Sequence, residues 1–188
     1  MARPKSDDKR TAILDAAAAI IEKQGLSAPT AAIAKQAGVA SGSLFTYFPN
    51  KADLFNQLYL ELKTDMAMAA TAALPPQADL REQFAHVWMN WLRWAQEFPQ
   101  KKRVLAQLGM FDELLPKTRE AGHQAMAEIA ALMQQARGNG TMRDVPFGLV
   151  AGMMNAIAEA TMDFVAQHPK EADQHTRAGF EAFWRMLS

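Results

Sequence analysis

Cysteine is absent from all 188 residues, which excludes disulfide staples and thiolate metal sites. The four histidines, His86, His123, His168 and His175, form no HExxH pattern and no pair four residues apart, so no metal site and no cofactor is implied. No GxSxG elbow is present to carry a nucleophilic serine. Gly138-Asn139-Gly140 lacks the preceding strand and third glycine of a phosphate-binding loop and reads as an interhelical turn. Glu159 and Asp163 stand one helical turn apart, and solvated face charges explain them better than paired catalytic acids. An enzyme therefore has little to stand on. No apolar run approaches the roughly eighteen residues of a membrane span. The start, MARPKSDDKR, carries Asp7 and Asp8 where a signal peptide would turn apolar, so a cytoplasmic protein is expected. Period-two alternation and fixed-length repeats are lacking too.

What is present reads as helix after helix. Apolar residues make up 49% and charged residues 21%, an ordinary globular balance. A first helix is expected over about 7–24, with acids in its first turn, Ile13, Leu14, Ala17, Ile20 and Ile21 on its apolar side, and Gly25 as its stop. Asn50 caps a helix of about 51–72 carrying Leu54, Phe55, Leu58, Tyr59, Leu62 and Met66. Leu74-Pro75-Pro76 breaks the chain before a helix of about 79–98, and Pro99 opens a shorter one that ends near Gly109. Further helices follow over about 116–137, 146–168 and 171–187. With two short helices near the N-terminus, the fold expected is all-α with about nine helices.

Those two short helices hold the most information. In residues 30–48, Thr30 opens a piece whose buried side is Ile33, Ala34 and Ala37, and Gly38 supplies the positive φ that ends it. Val39 anchors the turn, and a second piece over 41–48 is stopped by Pro49 and Asn50. A helix-turn-helix is the economical reading. The alternative is an ordinary packing pair with Leu44, Phe45 and Phe48 as core. Net charge is zero over the whole chain, yet residues 1–51 hold seven Lys or Arg against four Asp or Glu. That +3 excess has the sign phosphate contact requires.

The residues IL at 13–14, AA at 16–17, Gly25, IA at 33–34 and AGV at 37–39 carry a family resemblance, completed by Gly42, Ser43, Leu44, Phe45, Tyr47, Phe48, Lys51 and Leu54. The N-terminal quarter resembles the TetR family of bacterial transcriptional repressors. Through EATMDFVAQHP and GFEAFWRML it is most similar to members linked to multidrug resistance. The resemblance implies a three-helix helix-turn-helix DNA-binding domain over 1–50 and a helical ligand-binding and dimerisation domain over 51–188.

Ala40, Ser41, Gly42 and Thr46 lie where close approach to base edges is feasible, and Ser43, Tyr47, Lys51 and Thr30 suit phosphate oxygens. The resemblance implies that these positions, with Phe45, contact DNA. Three departures stand out. Phe45 stands where the family commonly has Tyr, Ser41 where a charged residue is frequent, and Pro29 where Thr often sits. Residues 41–48 contain neither Arg nor Asn, so bidentate base contacts are missing. Shape and contacts to thymine methyls are expected to carry much of the selectivity.

On helix 79–98, Phe84, Val87, Trp88, Trp91, Trp94 and Phe98 share about one third of the circumference at 100° per residue. Core is the preferred reading for Phe84 and Phe98. Three tryptophans are hard to pack without gaps, so Trp88 and Trp91 are candidates to line a pocket. Adaptable methionines strengthen that reading, Met133 and Met153 among them. The candidate ligand set is Tyr59, Leu62, Met66, Trp88, Trp91, Met110, Met126, Met154 and Ile157, suited to a flat, mostly apolar molecule. The resemblance implies that the last two helices form a homodimer interface, with Thr161, Phe164, Val165, Phe180, Phe183 and Trp184 as candidates. The expected function is a dimeric repressor released from operator DNA by a small molecule. The alternative is a ligand-binding helical protein that has lost specific DNA binding.

Overall fold

The structure is a computed structural model that describes residues 5–188, with side chains from Asp8 onward apart from that of Asn139. Asp7, read as an acid of the first helical turn, falls outside the described side chains. Among the described residues there are ten α-helices and no strand. They are α1 Lys5–Gln24, α2 Thr30–Gln36, α3 Ser41–Tyr47, α4 Lys51–Thr71, α5 Leu80–Glu97, α6 Pro99–Gly109, α7 Pro116–Ala125, α8 Ala127–Ala136, α9 Phe147–Gln167 and α10 Ala172–Leu187.

One expected helix, 116–137, is two. Met126 leaves the helical region at φ −95°, ψ 7°, ending α7 and opening α8. Neither proline nor glycine marks that break, which is why the sequence reads as continuous. The expectation about apolar runs also needs correction, because α9 is long and apolar enough by length and composition to cross a membrane. One third of its apolar window is buried within the protein.

The chain divides into two compact units, Met1–Thr64 with Phe98–Gln124, and Asp65–Glu97 with Ala125–Ser188. α6 and nearly all of α7 cluster with the N-terminal helices in the first unit.

In the first unit, Ile13, Leu14, Ala17 and Ile21 of α1 are fully buried with Ile33 and Ala34 of α2, Leu44 of α3, Phe48, and Leu54 and Phe55 of α4. Burying each of the larger side chains stabilises by about 1.5–3 kcal/mol. α6 packs on α1 through Val104 and Leu108, both fully buried. An Arg103–Glu22 ion pair joins the same two helices at the surface. Asn56, 5% exposed, ties α4 to the segment before α7. Its amide donates to the Ala52 and Glu113 carbonyls at 2.8 and 3.0 Å, and its oxygen accepts from the Leu115 amide at 2.9 Å.

In the second unit α5 packs against α8, α9 and α10. The Trp88 ring stacks on Phe183 at 6.0 Å between centroids and meets Trp91 edge-on at 6.1 Å. Phe84 lies 5.6 Å from Phe183. The aromatic stripe of α5 is thus met by an aromatic stripe of α10.

Candidate nucleic-acid interface

The turn between α2 and α3 closes by hydrogen bonds its sequence dictates. The Gly38 amide donates to the Lys35 carbonyl at 3.2 Å, and the Val39 amide reaches back to the Ala34 carbonyl at 3.0 Å. This nested pair requires a left-handed residue between its donors, and Gly38 has φ +68°. The turn therefore sets α3 at a fixed angle on α2.

α3 has one short inward side. Leu44 and the following Phe48 are 0% exposed, whereas Ala40, Ser41, Gly42 and Thr46 are exposed and Phe45 is 46% exposed. Ser43 and Tyr47 are half-buried on its flanks. Phe45 is consequently not core, and a large apolar ring faces outward beside a hydroxyl and two small residues. No side chain caps α2 or α3, whose preceding residues are Pro29 and Ala40. Thr30, half-buried, is the first residue of α2.

Immediately after α3, Asn50 accepts a hydrogen bond from the Asp53 amide at 2.8 Å and donates to the Asp53 carboxylate at 3.1 Å. This cap fixes where α4 begins, and so where Lys51 stands. The Lys51 ammonium lies 5.2 Å over the Phe55 ring, a cation–π contact that holds it while leaving it partly exposed. Sequence reasoning missed Arg10. Its guanidinium lies 5.6 Å over the Phe48 ring and pairs with Gln57 and Glu61 of α4, so it braces the end of α3 from α1. No local pattern signals a contact between residues so far apart in sequence.

The other candidates divide. Within the first unit, Tyr59 and Leu62 are buried at 6% and 5% exposure, but Met110 is 83% exposed just beyond α6 and lines nothing. Within the second unit, Met66 and Met154 are buried, and Met126 and Ile157 are half-buried. Trp88 is solid core rather than pocket wall, with its indole N–H donating to the Thr176 carbonyl at 2.9 Å. Trp91 packs edge-on against it, 9% exposed. Phe98, expected in the core, is 42% exposed, with the Lys101 ammonium 4.7 Å over its ring. Of the interface candidates, Val165, Phe180 and Phe183 are buried within their own unit and are unavailable to a second chain. Trp184 is half-buried against Phe84 and Phe180, and Thr161 bonds back to the Ile157 carbonyl at 2.7 Å. Phe164 remains outward, 46% exposed, stacked on His168 at 4.1 Å.

Comparison with known proteins agrees with this geometry. Residues 13–58 match the family described as bacterial regulatory proteins, tetR family, a span that covers α2, α3 and the start of α4. A TetR-family transcription regulator of known structure from Shewanella sp. PV-4 is 30% identical, with a TM-score of 0.85 over 94% of this chain and 96% of that one. The nucleoid occlusion factor SlmA of Vibrio campbellii is 26% identical over 196 residues, covering all of this chain and 98% of that protein. SlmA of Marinomonas sp. is 46% identical over 55 residues, a span of 28% of its length. The chain belongs to the TetR family of bacterial transcriptional regulators.

Proposed function

We propose that the protein is a cytoplasmic, ligand-responsive transcriptional repressor that binds operator DNA as a homodimer. The observation that carries this reading is the division of α3 into a fully buried anchor, Leu44 with Phe48, and an exposed row of Ser41, Gly42, Phe45 and Thr46. A helix packed on one side and open on the other can enter the major groove. Ser41, Thr46 and the small Ala40 and Gly42 approach base edges, and the Phe45 ring meets thymine methyls. Lys51, Tyr47, Ser43 and Thr30 hold phosphates and set the register.

The dimer uses the outward side of α9. Gly148, Gly152, Ala156 and Ala160 are exposed at intervals of four, beside Leu149 at 52% and Phe164 at 46% exposure. Residues four apart share a helix face, so this side is lined by small residues that let a second copy approach closely, with the exposed acids Glu159 and Asp163 standing among them. Two α3 helices then reach half-sites about 34 Å apart or a multiple of that. The effector is mostly apolar, and within the second unit Met66, Trp91, Met154 and Ile157 are the candidates for holding it. A swing of α4, whose first residue is Lys51, respaces the two α3 helices. A coupling of about 1–3 kcal/mol suffices to change occupancy.

Fluorescence anisotropy with DNA from upstream of the protein's own gene tests this. Lys51→Ala should weaken binding to all sequences and flatten the salt dependence by about 0.9 in slope, the loss of one phosphate contact. Thr46→Ala should weaken the upstream DNA more than random DNA. Equal affinity of both variants and the parent, with folding intact, would refute the reading. A second reading is favoured by the whole-length likeness to a protein named as a nucleoid occlusion factor. On that reading the chain occupies DNA without a small-molecule trigger, and no compound that binds it changes its DNA affinity.

A further inference from the structure

Lys63 stands in an unusual setting for a lysine. It lies on α4 one turn beyond Tyr59, its stem against Gly122 of α7. Gly122 itself is buried on α7. A Cβ there would lie 3.0 Å from Tyr59 Cε1, 3.6 Å from Lys63 Cγ and 3.6 Å from the Tyr59 hydroxyl. Tyr59 is 6% exposed and Lys63 is mostly buried, yet neither the hydroxyl nor the ammonium finds a hydrogen-bond or ion-pair partner among the described residues. Nor is either atom sealed from solvent, since no fully buried side-chain nitrogen or oxygen is left without a partner. Two polar groups are thus held in place by apolar packing, with their ends open to a space that solvent reaches.

Such an arrangement works against stability. An ammonium drawn out of water without a counter-charge is costly, and burial lowers the Lys63 pKa accordingly. The Tyr59 hydroxyl is held protonated by burial, with the Arg119 guanidinium on α7 acting in the opposite direction. Arg119 itself donates to the Gly109 carbonyl at 3.2 Å. The Arg119 guanidinium acts on the Tyr59 hydroxyl, the donors are two, and no carboxylate pairs with Lys63 among the described residues. Methionine would fill the same space without the penalty. A destabilising polar group retained beside an open space is characteristic of a binding site.

We propose that the Lys63 ammonium and the Tyr59 hydroxyl receive the anionic end, carboxylate or phosphate, of an otherwise apolar effector. The inference rests on the ligand-responsive reading above and narrows its ligand class to amphiphilic anions. Both donors lie in the same compact unit as α3. Lys63 is twelve residues along α4 from Lys51, about 18 Å at 1.5 Å per residue. An anion held by Lys63 and Tyr59 bears on α4 itself, and a displaced α4 moves Lys51 with it.

Calorimetric titration of the full-length protein with octanoate, octyl phosphate, octanol and octylamine tests the proposal. The wild type should bind one of the two anions more tightly than octanol and should not bind octylamine. The tighter of the two anions names the head group. Lys63→Met should bind that anion about tenfold more weakly or worse, the loss of one charge-assisted hydrogen bond, with octanol affinity unchanged. Lys63→Arg should retain anion binding. Lys63→Met should also melt at a higher temperature, which no role of Lys63 in holding the fold would produce. Wild-type affinity of Lys63→Met for both anions, or failure of both to saturate the wild type, overturns the proposal. Release of upstream DNA by octanol as readily as by the anions would leave ligand response standing and refute the anion site alone. Failure of the wild type to bind its upstream DNA would refute the repressor while the Lys63 titrations still decided the site.

Discussion

At Lys63 and Gly38 single side chains decide more than their neighbourhoods suggest. Burial places the folded-state pKa of Lys63 below the ordinary 10.5, so the folded protein releases this proton before the unfolded chain does. Between those two values the unfolded state binds more protons, and stability rises with pH. Tyr59 acts in a separate window. Its pKa is raised above 10.0 chiefly by burial, so its effect is a loss of stability as pH climbs past that value. Urea denaturation from neutral pH up to the tyrosine range should show the wild type gaining stability relative to Lys63→Met. Parallel curves would mean that Lys63 is as well solvated folded as unfolded. Gly38 makes a simpler prediction. At φ +68° nothing crowds a Cβ, so Gly38→Ala carries only the backbone penalty, about 1–2 kcal/mol. Thermal melting measures it, and DNA affinity should fall further than the stability loss explains, because the turn aims α3.

The elements show where local signals suffice. Asn50, Pro49 and Gly25 mark ends by chemistry that acts within a few residues, and the helices start and stop within a residue or two of expectation. Asn50→Ala removes the cap on Asp53 and should cost about 1 kcal/mol, read by urea denaturation. The break at Met126 carries no such signal. Nothing intrinsic to that residue forbids helix, so its propensity does not announce the break. The tryptophans of α5 teach a related lesson. Their spacing announces one apolar face, but whether that face meets a ligand or another helix depends on what stands opposite. Phe180 and Phe183 of α10 stand opposite Trp88, and its N–H finds the Thr176 carbonyl. Trp88→Phe should therefore destabilise the fold by about 1–3 kcal/mol through the lost indole hydrogen bond and the space its smaller ring leaves, leaving ligand affinity untouched.

For the whole molecule, the dimer proposed above makes the outer side of α9 the decisive surface. Val165, Phe180 and Phe183 are committed to the chain's own core, which leaves Leu149, Phe164 and the small residues between them to meet a second copy. Leu149→Glu with Phe164→Glu should give a monomer in sedimentation, with the helical signal retained. DNA affinity should collapse with it, because a single α3 makes few phosphate contacts. A double variant that stays dimeric would place the interface elsewhere.

The helix-turn-helix could be read from the chain alone because its information is local. Gly38 must be left-handed, residues 41–48 are bounded by proline, and Ile33, Ala34 and Leu44 bury at helical spacing. Period and composition likewise reveal which faces are apolar. They do not reveal what covers each face, since that is a relation between segments distant in sequence. Only the folded chain shows Phe45 outward, Trp88 sealed beneath α10, Arg10 braced against Phe48, and Lys63 half-buried beside Tyr59 with no hydrogen-bond or ion-pair partner among the described residues. In each case the physical quantity that matters is the solvent excluded by residues far along the chain, which no local pattern encodes.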